Sequence, residues 1–375
     1  MVALSTGGTL VAAEMGLRLY YWSKGVGRDD VRELLLRSQH AELRELGKGG
    51  GLHGLLRPSA IPDAVYEIKP HLRGTFRGKR LETNAWGLRG PAVKRRKPSG
   101  VIRVAGLGDS HMFGWGMPDE ACYMAILQRE LDAQARPGVR FEVLNFGTPG
   151  YNTAMEAAIF EHKALAFAPD FVVLHFVGND LDPPHFLEPP RPFRPSRWVL
   201  VETVRGLFGE VEEEFDTSRL PAAELEGLQR ASHESFRHLG GSEELRRALF
   251  RIRELAEERQ IPTLFMMLGE RSRVRRFARA AAVEAGFPVL NPAGYFTRLL
   301  AETGREVTPE SFRETFSRGD LHPTHLGHRA YARTLRCELA YLGLAGLTAR
   351  ATAGCPPQQT VAPREIGARR KAGGR

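Results

Sequence analysis

Apolar residues recur along this chain with two different periods. From residue 99 onward, short apolar and β-branched runs at 101–107, 140–145, 171–177, 263–268 and 288–290 read as buried strands. Residues 120–134, 153–167, 243–258, 272–285 and 325–342 carry their apolar side chains at helical spacing instead. Strands that alternate with helices need crossover connections, which cover a parallel sheet on both faces. The pattern therefore predicts an α/β fold, a three-layer α/β/α sandwich on a parallel sheet of about five strands.

Before residue 99 the pattern is different. Residues 1–22 are mildly apolar, but Glu14 and Arg18 interrupt them, and no basic leader with a small-residue cleavage site is present. They read as a short amphipathic surface helix rather than a transmembrane helix or signal peptide. The functional counterpart is a membrane-lying helix or truncated anchor with peripheral membrane contact. The compartment follows that choice, cytoplasmic in the first case and membrane-associated or periplasmic in the second. Residues 29–46 show helical spacing with many charges, and 47–54 are glycine-rich. Residues 64–91 break into short extended pieces, among which Thr83-Asn84-Ala85-Trp86-Gly87-Leu88-Arg89-Gly90 stands out as a small β element packed on the main domain. The expected organisation is an α+β extension over 1–98, ending in a linker at 94–98, and a main domain over 99–346. Residues 181–241, proline-rich and then acidic, interrupt the alternation just after a strand's carboxyl end and read as a lid-like insertion. Residues 347–375, rich in Gly, Pro, Arg and Gln, read as a disordered basic tail.

Composition narrows the classes. A hydrophobic content of 42% with mean hydropathy −0.30 excludes wholesale disorder and a polytopic membrane protein. The net charge of +9 is scattered over groups at 94–97, 271–279 and 369–371, without zinc-finger spacing or an aromatic RNA-binding signature. Solvated faces account for it and no nucleic-acid partner is expected, while anionic surfaces such as lipid headgroups stay open. Cys122, Cys337 and Cys355 are too few and too scattered for a disulfide framework or a metal cluster.

The chemistry centres on Gly106-Leu107-Gly108-Asp109-Ser110-His111, which places a serine at the end of the first strand of the alternation. In an open parallel sheet that carboxyl end is where the active crevice opens. Alone, Gly-Asp-Ser is equally a turn with good cap residues. Ester hydrolysis by serine also needs a base, a carboxylate to orient it, and donors for the tetrahedral oxyanion. One candidate for each is present. Gly150 follows the second strand and Asn179, in Val177-Gly178-Asn179-Asp180, follows the third. Asp320 and His322 lie in Gly319-Asp320-Leu321-His322-Pro323, before the last helix. All lie in loops that converge on one end of the sheet. His322, His325 and His328, with Asp320 nearby, invite a metal reading, but Pro323 and the helix start separate His322 from the other two. Cap and helix-surface roles account for His325 and His328, and no metal or other cofactor is expected. His111 reads as a crevice-wall residue, and Trp115 as either pocket lining or core.

With these blocks in this order, the sequence over about 101–344 resembles the SGNH hydrolases, also called the GDSL esterase/lipase family. The segment at 84–89 is similar to one that precedes the serine block in a bacterial subgroup whose members often begin with a membrane anchor. The resemblance implies a flavodoxin-like fold with Ser110 as nucleophile and oxyanion donor, Gly150 and Asn179 as further donors, His322 as base, and Asp320 as its carboxylate. One departure is visible. The family's usual aspartate lies three residues before the histidine, where this chain has Gly319, and Asp320 lies two before. The implied activity is serine ester hydrolysis through an acyl-enzyme, on a short-chain acyl ester, an acetylated sugar or a lipid. The same triad also serves acyl transfer to a carbohydrate hydroxyl. A non-catalytic carbohydrate-binding relic is the third reading, and the intact set of Ser110, Asn179 and His322 speaks against it.

Overall fold

The computed structural model describes residues 2–23, 55–184, 234–270, 272–319 and 321–361. The chain opens with α1 (Val2–Ser23) and two small antiparallel pairs, β1 (Leu56–Pro58) with β2 (Tyr66–Ile68) and β3 (Arg73–Phe76) with β4 (Lys79–Glu82). The main domain then runs β5 (Val101–Gly108), α2 (Ser110–Phe113), α3 (Tyr123–Asp132), β6 (Arg140–Asn145), α4 (Thr153–His162) and β7 (Phe171–Phe176). It continues with α5 (Ser242–Glu258), β8 (Thr263–Met267), α6 (Arg273–Glu284), β9 (Val289–Leu290), α7 (Ala293–Glu302), α8 (Pro309–Phe316), α9 (His325–Tyr341) and β10 (Thr360–Val361). The sheet has six strands in the order β10-β9-β8-β7-β5-β6, and only β10 is antiparallel to its neighbour.

Side chains alternate across this sheet with the period of a strand. Ala105, Leu107, Val172, Leu174, Phe265 and Met267 face one core, shared with Met155, Leu249 and Ala278 of α4, α5 and α6. Val104, Val173, Leu264 and Met266 face the other, shared with Leu127, Phe296 and Leu335 of α3, α7 and α9. That is a three-layer sandwich, and the central strands β7 and β8 are mostly apolar because both of their faces are covered. The small N-terminal strands join the first core through Tyr66, Ile68, Phe76 and Leu81. The residues expected as a linker are bound to the sheet. Arg103, fully buried on β5, donates to the carbonyls of Lys94 and Arg95 and pairs with Glu142 at 2.8 Å.

Two expectations need correction. Residues 347–361, expected to be disordered tail, fold back along α9 and supply β10 as the outer strand. Glu338 explains why: its buried carboxylate accepts from the backbone N–H of Gln359 (2.8 Å) and Thr360 (3.0 Å), and from the Tyr295 hydroxyl (2.7 Å). A buried carboxylate needs such donors, and the tail's backbone provides them. The cysteines, read as too few and too scattered for a disulfide framework, include one Cys337–Cys355 disulfide across 18 residues of sequence. Two short helices, α7 and α8, were also absent from the expected pattern. The second begins with a Thr308 capping box and Pro309 in its first turn, local signals that a search for apolar periodicity passes over.

Residues 29–46 and 47–54, and residues 185–233 of the expected lid-like insertion, lie outside the described residues. The two ends of that insertion meet, with Gly241 N–H donating to the Leu181 carbonyl at 2.8 Å. On α1, Leu10, Val11, Met15, Leu19 and Tyr20 are exposed and Arg18 pairs with Glu14 at 2.7 Å. No helix among the described residues is long and apolar enough to cross a membrane.

Candidate active site

Ser110 lies two residues past the end of β5, the strand that lies between β6 and β7. Asp109 caps the helix that Ser110 begins, accepting the His111 backbone N–H at 2.9 Å. This cap turns the chain sharply at the strand end and fixes the serine at the crevice. The turn lies tight against the β6 loop. A Cβ on Gly147 would come within 2.5 Å of the Phe113 backbone nitrogen, so only glycine lets the loop approach α2.

The Ser110 hydroxyl lies 2.8 Å from Nε2 of His322, although 212 residues separate the two in sequence. Both are buried, at 7% and 3% exposure. The same hydroxyl is 3.3 Å from Oδ2 of Asp109, a longer contact than the one to the imidazole. The His322 ring stacks on Trp115, with centroids 5.4 Å apart and planes at 16°, and leans against His111 at 5.4 Å. Trp115 is thus both core and site wall, while His111, half-buried, stands between His322 and His175.

The loop that carries His322 is a tight turn. Leu321 N–H donates to the Arg318 carbonyl at 2.9 Å, and Arg318 N–H donates to the His322 carbonyl at 2.8 Å. Its left-handed residue is Leu321, with φ of 61°, and not Gly319. A non-glycine residue pays a steric cost there, and such strain is often held at functional sites. Asp320, the expected orienting carboxylate, lies outside the described residues.

The expected oxyanion donors follow neighbouring strands. Thr148-Pro149-Gly150-Tyr151 forms a β-turn, with Tyr151 N–H on the Thr148 carbonyl at 3.1 Å and Gly150 at φ of 73°. Proline followed by left-handed glycine is the type II arrangement, and it leaves the Gly150 N–H outside the turn bond. Asn179 follows β7, half-buried, and its Oδ1 is buried with no hydrogen-bond partner among the described residues. Asp180, beside it, accepts from Val177 N–H at 3.2 Å and from the Thr153 hydroxyl at 2.9 Å, which fixes the loop onto the start of α4.

Beneath this loop lies an acidic interior. Burial, reinforced by mutual repulsion and by Asp109, pushes the carboxyls of Glu156 and Asp180 well above the usual range. Glu156 makes no hydrogen bond through either oxygen among the described residues. Beneath His111 is a cluster of rings. The Tyr123 hydroxyl bonds Nδ1 of His175 at 2.9 Å, and the Tyr123 backbone N–H donates to Nδ1 of His328 at 3.2 Å. His328 is therefore interior and not on the helix surface as expected, since its position on α9 faces α3. Burial holds both imidazoles well below their ordinary value, with nearby His111 adding to the effect. Among the described residues no group of three His, Cys, Asp or Glu is placed to hold a metal ion.

A support passed over in the sequence is Arg89. The Thr83–Gly90 stretch closes on Asn84, whose Oδ1 accepts the N–H groups of Trp86 (2.9 Å) and Leu88 (3.2 Å). The loop aims Arg89 inward. Its guanidinium pairs with Asp119 at 2.6 Å and donates to the carbonyls of Phe113 (2.9 Å), Gly114 (2.6 Å) and Met117. A cation at the carboxyl end of α2 satisfies carbonyls the helix leaves open.

The model of the GDSL-like lipase/acylhydrolase family matches residues 107–330 of the chain. Among the curated proteins none matches. Solved structures similar to this one include LAE5, an alpha/beta hydrolase enzyme from the metagenome of Lake Arreo, at 16% identity and a TM-score of 0.41, covering 64% of this chain and 95% of that one. Axe2, an acetylxylan esterase from Geobacillus stearothermophilus, is similar at 18% identity and a TM-score of 0.38, covering 66% of this chain and 97% of its own.

Proposed function

The chain belongs to the GDSL-like lipase/acylhydrolase family and is a carboxylic ester hydrolase, and from that premise we propose that it cleaves acyl esters through an acyl intermediate on Ser110. The observation that carries this reading is the 2.8 Å contact between the Ser110 hydroxyl and Nε2 of His322. As Oγ bonds to the ester carbonyl carbon, its proton passes to Nε2 and the carbonyl π pair moves onto oxygen. The backbone N–H groups of Ser110 and Gly150 and the Asn179 amide are the donors for that oxyanion. Collapse breaks the bond to the alcohol, which leaves with the proton from Nε2. Water repeats the sequence on the acyl-serine, and the acid departs.

Two further residues have roles in this reading. Asp320 takes the Nδ1–H of His322 and keeps Nε2 free to accept. Trp115 presents its ring face to the imidazolium that forms at each step, an arrangement its stacking at 5.4 Å supports. The substrates in this reading are short-chain acyl esters, acetylated sugars or lipid esters. A serine-directed aryl phosphonate tests the assignment. The wild-type protein is expected to take one label at Ser110 with loss of esterase activity, and Ser110→Ala to take none while keeping its fold. A folded Ser110→Ala protein with full activity overturns it.

A further inference from the structure

The N-terminal extension reaches the loop that carries Gly150. Tyr66, on β2 and fully buried, donates its hydroxyl to the Pro149 carbonyl at 3.1 Å, and the Tyr151 hydroxyl donates in return to the Tyr66 carbonyl. The two rings pack with centroids 5.4 Å apart. The Pro149 carbonyl belongs to the same peptide unit as the Gly150 N–H. That unit is planar and trans, so its C=O and N–H point to opposite sides. Holding the carbonyl on the Tyr66 side therefore sets the side on which the N–H emerges. Among the described residues no acceptor takes that N–H. The loop is tied beside the nucleophile's turn by Thr148 N–H, which donates to the Gly108 carbonyl at 3.0 Å.

The turn's own hydrogen bond does not fix this peptide. Type I and type II turns share the bond from the fourth residue to the first, here Tyr151 to Thr148, and differ by rotation of the central peptide. Glycine populates either sign of φ about as readily, so Gly150, now at 73°, accepts both forms. In the rotated form the N–H would point where the carbonyl now lies, toward the Tyr66 hydroxyl. The rotation would also part a buried donor from its acceptor, which is costly away from water.

We propose that Tyr66 is a positioning residue for the oxyanion hole: its hydroxyl locks the Pro149–Gly150 peptide in the orientation that presents the Gly150 N–H, a role that rests on the reading of Ser110 as nucleophile and Gly150 as oxyanion donor. A hydrogen bond to the carbonyl also polarises the peptide and strengthens its N–H as a donor. The small N-terminal strands thereby act on the reaction through a backbone amide of the main domain, without touching substrate.

Tyr66→Phe removes the hydroxyl and keeps the ring against Tyr151. Acylation and deacylation both pass through an oxyanion, so kcat reads the donor whichever step is slower. With 4-nitrophenyl acetate, kcat is expected to fall about tenfold, less than the loss of a donor outright, with KM within about twofold of wild type. Affinity for 1,1,1-trifluoro-2-butanone, whose adduct with a serine carries an oxyanion, should fall by a similar factor. Tyr66→4-aminophenylalanine restores a weaker donor at the same ring position and should give an intermediate kcat, which decides the question if Tyr66→Phe does not fold. A folded Tyr66→Phe protein with wild-type kcat overturns the role of Tyr66, as does one that loses kcat yet binds the ketone as tightly as wild type. Wild-type kcat in the amino variant, where the phenylalanine variant does not fold, overturns it equally. Each of these leaves the serine assignment standing. A wild-type protein that takes no phosphonate label at Ser110 defeats the acyl-enzyme reading and the role of Tyr66 with it.

Discussion

Arg89 and Asp119 form an ion pair at 2.6 Å that joins the N-terminal extension to the segment following the nucleophile. The arginine is buried and also holds the carbonyls of Phe113, Gly114 and Met117, so it braces the stretch that carries Trp115 under His322. Removing the arginine leaves the half-buried Asp119 carboxylate unpaired and opens several carbonyls. Arg89→Met is therefore expected to destabilise the fold by about 3 to 5 kcal/mol, read as a shift in the denaturation midpoint. Arg89→Lys should recover little, because an ammonium cannot reach all these acceptors from one point. A midpoint within error of wild type for Arg89→Met would show that the brace carries no load.

Asn179 offers a side-chain amide where the reading needs an oxyanion donor. Such a donor acts on charge that develops in the transition state. Asn179→Ala should lower kcat by roughly 10²-fold to 10³-fold with a smaller change in KM. Steady-state kinetics with an acyl ester whose chemistry is rate-limiting measures this, and a loss below about threefold removes Asn179 from the oxyanion hole.

Asp320, two residues before His322, is the carboxylate the proposed reading assigns to that imidazole. Leu321 is left-handed and the Arg318 N–H donates to the His322 carbonyl. Asp320→Asn is expected to retain the fold and to lose about 10⁴-fold in kcat, since an amide favours the wrong imidazole tautomer. If kcat falls less than about tenfold, Ser110 and His322 act as a dyad or with another acid.

Glu156 sets a pH dependence of stability. Its carboxyl is raised in the fold by burial and by the neighbouring Asp180 and Asp109, whereas the unfolded chain titrates near the ordinary value of 4.5. Above that value the folded state keeps a proton that the unfolded state has released. Stability is therefore fully present below pH 4.5 and declines as pH rises toward the raised folded value. Glu156→Gln removes this contribution, so its denaturation midpoint should fall less steeply than wild type as pH rises above 4.5. Parallel profiles for the two proteins would show that Glu156 does not hold the proton.

Much of this molecule is written locally. The short apolar runs of β5, β7 and β8 and the helical period in α5 and α9 follow from which side chains need cover, and a window of a few residues carries that information. The order of serine, glycine, asparagine and histidine blocks was equally legible, because a parallel sheet delivers every strand end to the same side. The supports were not. Trp115 against His322 and Arg89 against Met117 depend on contacts between distant stretches, and no local pattern distinguishes an arginine that will be buried from one that will be solvated. The segment at 347–361 has the composition of a tail, yet one buried carboxylate, Glu338, and one disulfide hold it to the sheet edge. His328 shows the same division. Its helical position was predictable, but whether that face met water or the Tyr123 backbone was decided by where α9 packs on α3, because burial belongs to the assembled layers and not to the residue.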